Sequence, residues 1–236
     1  MIIQTTSSGH LFLITQPDHA AAAAEITDAW QADGLPRSPR RTSILRAVRE
    51  HDAGWAQPDS VPLVDGTSGR LLDFVHAPVD VRQGVWPRSV SLLSADPWAA
   101  ALVATHAITV YDRFRGHSEW APFFKHMAAQ RDEHLAQTPG TADQLLDDYA
   151  FLRLADLGSL AFCNPWLDVQ RFGPYQMQFT PADATLTIRP DPFASGHVVI
   201  DVVARRLPGT RFTSSTIADA WAHAPHERIS VIVRGA

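Results

Sequence analysis

The stretch "REHDAGW" places His51 and Asp52 side by side, directly after the apolar positions Ile44, Leu45 and Val48 of a helical pattern. Both are therefore expected near the interior. An isolated buried charge costs several kcal/mol unless it is paired or bound to a metal, so partners are needed. Three further residues supply them. His19 shares a helical face with Ala23, Ile26 and Trp30; His106 with Leu102, Thr109 and Val110; Asp156 with Leu145, Tyr149, Leu152 and Leu160. Imidazole mixed with carboxylate suits zinc, iron, manganese, nickel or cobalt. A divalent ion of this kind lowers the pKa of water bound to it from 15.7 toward about 7, which is what hydrolysis near neutral pH requires.

These residues need elements to hold them. Two short runs, 1–4 and 10–15, separated by "TTSSG", read as a β-hairpin or a pair of edge strands. Pro17 suits a first helical position, and "DHAAAAAEITDAW" continues a helix that Gly34 stops. A second helix is expected from Thr42 or Ser43 to about Gly54. Residues 56–94, punctuated by Pro58, Pro62, Gly66, Gly69, Pro78, Gly84 and Pro87, read as a long irregular excursion. Excursions of that length tend to be functional, and this one is expected to cover the site. Asp96 with Pro97 caps a third helix running to about Phe114. A helix to Gln137 follows, then one from the capping box Thr141/Gln144 to about Cys163. Beyond Pro165 the period changes: "TLTIRP", "HVVIDVVARRL" and "RISVIVRGA" read as strands, with a short helix in "SSTIADAWAHA".

Bulk properties exclude several classes. The net charge of -5 speaks against a general nucleic-acid or anionic-membrane binder; that only Lys125 of the 20 basic residues is a lysine reads as base composition and not as a binding signal. The single cysteine, Cys163, rules out an intramolecular disulfide framework and a multi-cysteine metal site; it reads as a small core residue. No apolar run approaches the roughly 20 residues that span a bilayer, and the first residues lack the basic start of a signal peptide. A cytoplasmic location is the expectation.

The order of the candidate ligands adds a resemblance. A lone His, an adjacent His-Asp and a distant Asp resemble the HD-domain superfamily of metal-dependent phosphohydrolases. More closely, "ITQPDHA", "EHDAGW", "DPWAAALVATHA" and "LRLADLGSLAFC" look like the uncharacterised family DUF3891, along nearly the whole chain. The wider resemblance implies that His19, His51, Asp52 and Asp156 are metal ligands. It also places His106 where dinuclear members carry an extra histidine. Such members have two histidines in this interval, and His76, in the irregular segment, is the candidate for the other. Asp52 and His106 are the candidates for catalytic work beyond ligation.

The expected fold is mainly α (α+β): a single domain over 1–236 with an HD-domain-like helical core at about 17–165. A small antiparallel β subdomain, formed by the N- and C-terminal strands at about 1–15 and 175–236, would flank it. The expected function is metal-dependent hydrolysis of a phosphoester or phosphoanhydride of a small metabolite or nucleotide, with no nucleic acid or membrane as partner. The alternatives are a di-iron oxygenase completed by His76, or a non-catalytic degenerate HD-like module for ligand or protein binding. Singly, each residue has an ordinary reading: a hydrogen-bonded core histidine, or Asp156 paired with Arg153 or Arg113. The run Arg37, Arg40, Arg41, Arg46 and Arg49 would either steer phosphate or form a solvated face. Trp55 and Trp86 would either pack or wall a ligand.

Overall fold

A computed structural model describes residues 1–164, 166–194 and 196–236. β1 (Ile2–Thr5) and β2 (His10–Ile14) form the predicted hairpin. Thr15 then caps α1 (Gln16–Ala29) by accepting from the Asp18 N–H, with Pro17 in the first turn. α2 (Arg41–Glu50) ends at His51, and Asp52 opens a 3₁₀ turn over Ala53–Trp55. Residues 56–94 hold a two-stranded ribbon, β3 (Leu63–Val64) with β4 (Leu71–Leu72), and then α3 (Val79–Leu92). α4 (Pro97–Val110) is capped by Asp96, and α5 (Ala121–Leu135) follows. The capping box Thr141/Gln144 forms as expected and starts α6 (Ala142–Cys163).

The remainder is β5 (Gln170–Phe172), β6 (Tyr175–Thr180), β7 (Thr185–Arg189), β8 (His197–Pro208), α7 (Ser214–Ala222) and β9 (His226–Gly235). Seven strands make one mixed sheet in the order β1-β2-β8-β9-β7-β6-β5. Its pairs are antiparallel except β7 with β9, which run parallel with Thr185 opposite Ile232.

This corrects the expected architecture of an HD-like helical core with a small antiparallel subdomain. The sheet is a full layer, and its strands come from the beginning, the later middle and the end of the chain. The helices have no core of their own. Ile200, Val202, Val231, Val233 and Met177 of the sheet are buried in the same cluster as Ile26, Val48, Leu102 and Leu152 of the helices. Alternation explains the layer: along β8, Ile200, Val202 and Ala204 are buried while Val199, Asp201 and Val203 face outward. β6 shows the same alternation in "YQMQFT" with Tyr175, Met177 and Phe179 inward, and it carries the sheet past the strands expected from the sequence.

The irregular reading of 56–94 is also corrected by α3. Gly84 and Pro87 sit inside that helix, and they are the punctuation that masks it in the sequence. α3 docks tightly on the turn after Asp52. The Gly54 N–H donates to Ser89 Oγ at 2.8 Å, and a Cβ on Gly54 would lie 1.9 Å from the Val85 carbonyl oxygen. Glycine is what allows α3 to approach this turn.

Candidate metal centre

The five predicted residues converge. His19 projects from α1, His51 and Asp52 from the end of α2, His106 from α4 and Asp156 from α6, and none is more than 4% exposed. His19 Nε2 lies 3.1 Å from Asp52 Oδ2 and 3.8 Å from Asp156 Oδ1. His51 Nε2 lies 3.5 and 3.7 Å from the same two oxygens. Ligand atoms of His19, His51 and Asp156 all fall within 4.8 Å of one another, so this cluster could hold a metal ion. His106 Nε2 approaches the other Asp156 oxygen, Oδ2, at 3.6 Å.

The opposite ring nitrogens fix the tautomers. His51 Nδ1 is 2.7 Å from the Val48 carbonyl, which can only accept, so Nδ1 carries the proton of the neutral ring. Ser159 Oγ donates to the Asp156 carbonyl at 3.0 Å and therefore accepts from His19 Nδ1 at 2.8 Å. In its uncharged form each imidazole thus turns an Nε2 lone pair toward two carboxylates. Holding the distal nitrogen in this way is how proteins orient metal-binding histidines. Among the described residues His51 Nε2 is buried with no well-formed hydrogen bond, its nearest carboxylate oxygens lying 3.5 and 3.7 Å away. The residues present fit a divalent cation.

Charge follows the same pattern. Burial disfavours the charged form of His51, but Asp52 and Asp156 outweigh it and push its pKa up to about 9. Burial raises the Asp156 carboxyl, yet His51, His106 and Arg153 hold it well below the usual carboxylate range. Asp52 is likewise held low by His51 and His19 against its burial. His106 goes the other way: burial drives it down to about 3, so its ring is neutral.

The cluster lies beside a cavity of about 260 Å³ lined by His19, Asp52, His106 and Asp156 and by the rings of Trp55, Trp86 and Trp166, among others. The ligand-wall reading of Trp55 and Trp86 therefore matches their position. The expected covering role of 56–94 matches too, since Phe74, Val75, Arg82 and Trp86 line the cavity.

Other expectations do not match. His76 is exposed and bonds Asp73 at 2.7 Å, away from the cluster, because the chain turns outward there before α3 begins. Within the arginine run, Arg40, Arg41 and Arg46 pair with Asp148, Asp28 and Glu50, and none of the five lines the cavity. Arg153 does bond Asp156, through Nη1 to Oδ2 at 2.8 Å. Cys163 is a buried core residue. Sequence reasoning missed Ser159 and Gly54. The signal for Ser159 was its spacing of three from Asp156 on one helix, which places both on one face.

A family model described as "Protein of unknown function (DUF3891)" matches residues 1–209, a span that holds all five clustered residues. No curated protein and no solved structure matches the chain. Among the described residues, no helix is long and apolar enough to cross a membrane.

Proposed function

The chain belongs to this family of unknown function, and with that as premise we propose that it is a metal-dependent hydrolase acting on a phosphoester of a small metabolite. The observation that carries the reading is the set of four acceptor atoms, His19 Nε2, His51 Nε2, Asp52 Oδ2 and Asp156 Oδ1, turned toward one another at 3.1–3.8 Å beside a cavity. The order His, His-Asp, Asp along the chain supports it as well. When bound there, a divalent ion supplies Lewis-acid activation of water and of the phosphoryl oxygen.

The remaining work belongs to side chains. Arg153, held by Asp156 and partly exposed, offers its free N–H groups to charge that develops on the phosphoryl oxygens. His106 is neutral, lines the cavity and stands 3.6 Å from Asp156, so it can hydrogen-bond and orient water beside that carboxylate. The tryptophans exclude bulk solvent and strengthen both effects.

Arg153 also bears on nuclearity. Its guanidinium occupies Asp156 Oδ2, which leaves that oxygen less available to a second ion. With His76 on the surface, the arrangement favours one ion and hydrolysis over a di-iron oxygenase. The test is elemental analysis of protein purified without chelator, with release of phosphate from phosphomonoesters assayed in Mn²⁺, Ni²⁺ or Co²⁺. About one equivalent of metal and metal-dependent phosphate release are expected. A protein that stays metal-free after reconstitution overturns the reading.

A further inference from the structure

Two arginines at the cavity lack an ion-pair partner among the described residues. Arg82 on α3 and Arg113 just beyond α4 both line it. Arg153, which lines the same cavity, is paired with Asp156, whereas among the described residues neither Arg82 nor Arg113 has a carboxylate within ion-pair distance. Rings hold these two instead. The Arg113 guanidinium lies 4.8 Å from the Phe114 ring centre, and that of Arg82 lies 5.5 Å from both Phe114 and Trp120. Phe114 and Trp120 are themselves stacked 4.7 Å apart and within 9° of parallel. A guanidinium on a ring face keeps its orientation while its N–H edge stays free to donate. Among the described residues Arg82 Nε is buried without a hydrogen-bond partner, and so is the indole nitrogen of Trp55, a residue of the cavity wall. Buried donors left unmatched by the protein are satisfied by whatever enters.

We propose that Arg82 and Arg113 are a substrate-recognition pair that selects small organic phosphates, gripping the phosphate while the wall of Trp55, Phe74, Trp86 and Trp166 takes an apolar or aromatic body. Two guanidiniums brought to one cavity from different elements suit a multi-oxygen anion better than a neutral ligand. The binding stands on the arginines and rings alone. Only the fate of the bound molecule rests on the metal-dependent reading above.

Isothermal titration with phenyl phosphate, phenol and inorganic phosphate tests the proposal on the wild type, Arg113→Ala, Arg82→Ala and Asp52→Ala. Phenyl phosphate is expected to bind the wild type, with Kd raised about tenfold or more in each arginine variant. Phenol should show no saturable binding, and inorganic phosphate should bind more weakly than the ester with the same arginine dependence. Arg113 is exposed, so its variant reports on binding even if loss of Arg82 loosens α3. No saturable binding of phenyl phosphate up to about 10 mM, or equal binding by both arginine variants and the wild type, overturns the pair. Inorganic phosphate binding as tightly as the ester overturns the aromatic-body half and leaves a site for free phosphate. Binding lost in Asp52→Ala but kept in Arg113→Ala places the anion on the metal, sinking the pair and sparing the metal centre. Arginine-dependent binding in a protein that takes up no metal does the reverse.

Discussion

α6 carries two buried carboxylates about two turns apart, and they are built in opposite ways. Asp148 is 5% exposed and surrounded by donors: Arg40 Nε at 2.5 Å, Arg40 Nη2 at 3.2 Å and the Trp98 indole N–H at 2.9 Å. Asp156 is 4% exposed and receives one firm donor, Arg153, on one oxygen. Its other oxygen faces the Nε2 atoms of His19 and His51 at 3.8 and 3.7 Å, and the tautomers give those atoms lone pairs. A buried carboxylate matched by donors is a brace. One that faces further acceptors is stable only with a cation among them, either a proton or a metal ion. About two turns of one helix therefore separate a structural ion pair from a candidate binding site.

The largest effect that sharpens this contrast comes from removing each carboxylate in turn. Asp156→Ala is expected to drop bound metal from about one equivalent to less than about a tenth, with phosphoester hydrolysis lost in parallel. Asp148→Ala should retain the metal and lose about 3 kcal/mol in a denaturant titration, because Arg40 and Trp98 keep buried donors without an acceptor. Equal metal loss in the two variants would break the distinction. Next in size is Gly54→Ala. The added Cβ cannot coexist with the Val85 carbonyl, so α3 must shift. A cost of about 2–3 kcal/mol is expected, together with weaker binding in the cavity that α3 walls; unchanged stability would show that α3 is loosely docked.

The site was more legible in the sequence than the fold. His19, His51, Asp52, His106 and Asp156 each interrupt an apolar face at helical spacing, and such interruptions are visible because burying them is costly. The sheet was obscured for the opposite reason. Its cohesion comes from pairing distant segments, β2 with β8 and β7 with β9, and nothing local in "QRF" or "YQMQFT" states which strand is the neighbour. α3 was hidden by Gly84 and Pro87, tolerated where tertiary packing overrides propensity. His76 shows the limit of ordering residues along the chain: it has a ligand's type and interval, but its backbone turns outward.

A smaller effect probes how the imidazoles are aimed. Ser159→Ala removes the acceptor for His19 Nδ1 without touching a ligand atom. Metal affinity is expected to fall about 10- to 100-fold, with stability nearly unchanged, since the hydroxyl leaves no large void. Competition with a chelating dye measures it. An affinity equal to that of the wild type would mean that packing, not Ser159, orients the ring.

The smallest effect is a pH dependence confined to one of the two carboxylate environments. In chelator-treated protein the proton takes the cation's place on His51, whose pKa burial lowers and Asp52 and Asp156 raise, to about 9 from the ordinary histidine value of 6.5. A histidine that binds its proton more tightly when folded contributes stability that is full below pH 6.5 and is lost as the pH rises through about 9. His106, driven down to about 3, costs stability only as the pH falls below 6.5 and so stays out of that window. The melting temperature of the stripped protein is therefore expected to fall between these pH values. His51→Gln should flatten that fall, while Asp148→Ala should keep it. Metal-loaded protein should lack it too, because the ion has displaced the proton and uptake near pH 8 releases about one. A stripped protein that gains stability over this range would mean that His51 is neutral, and that the carboxylates beside it are compensated as fully as Asp148.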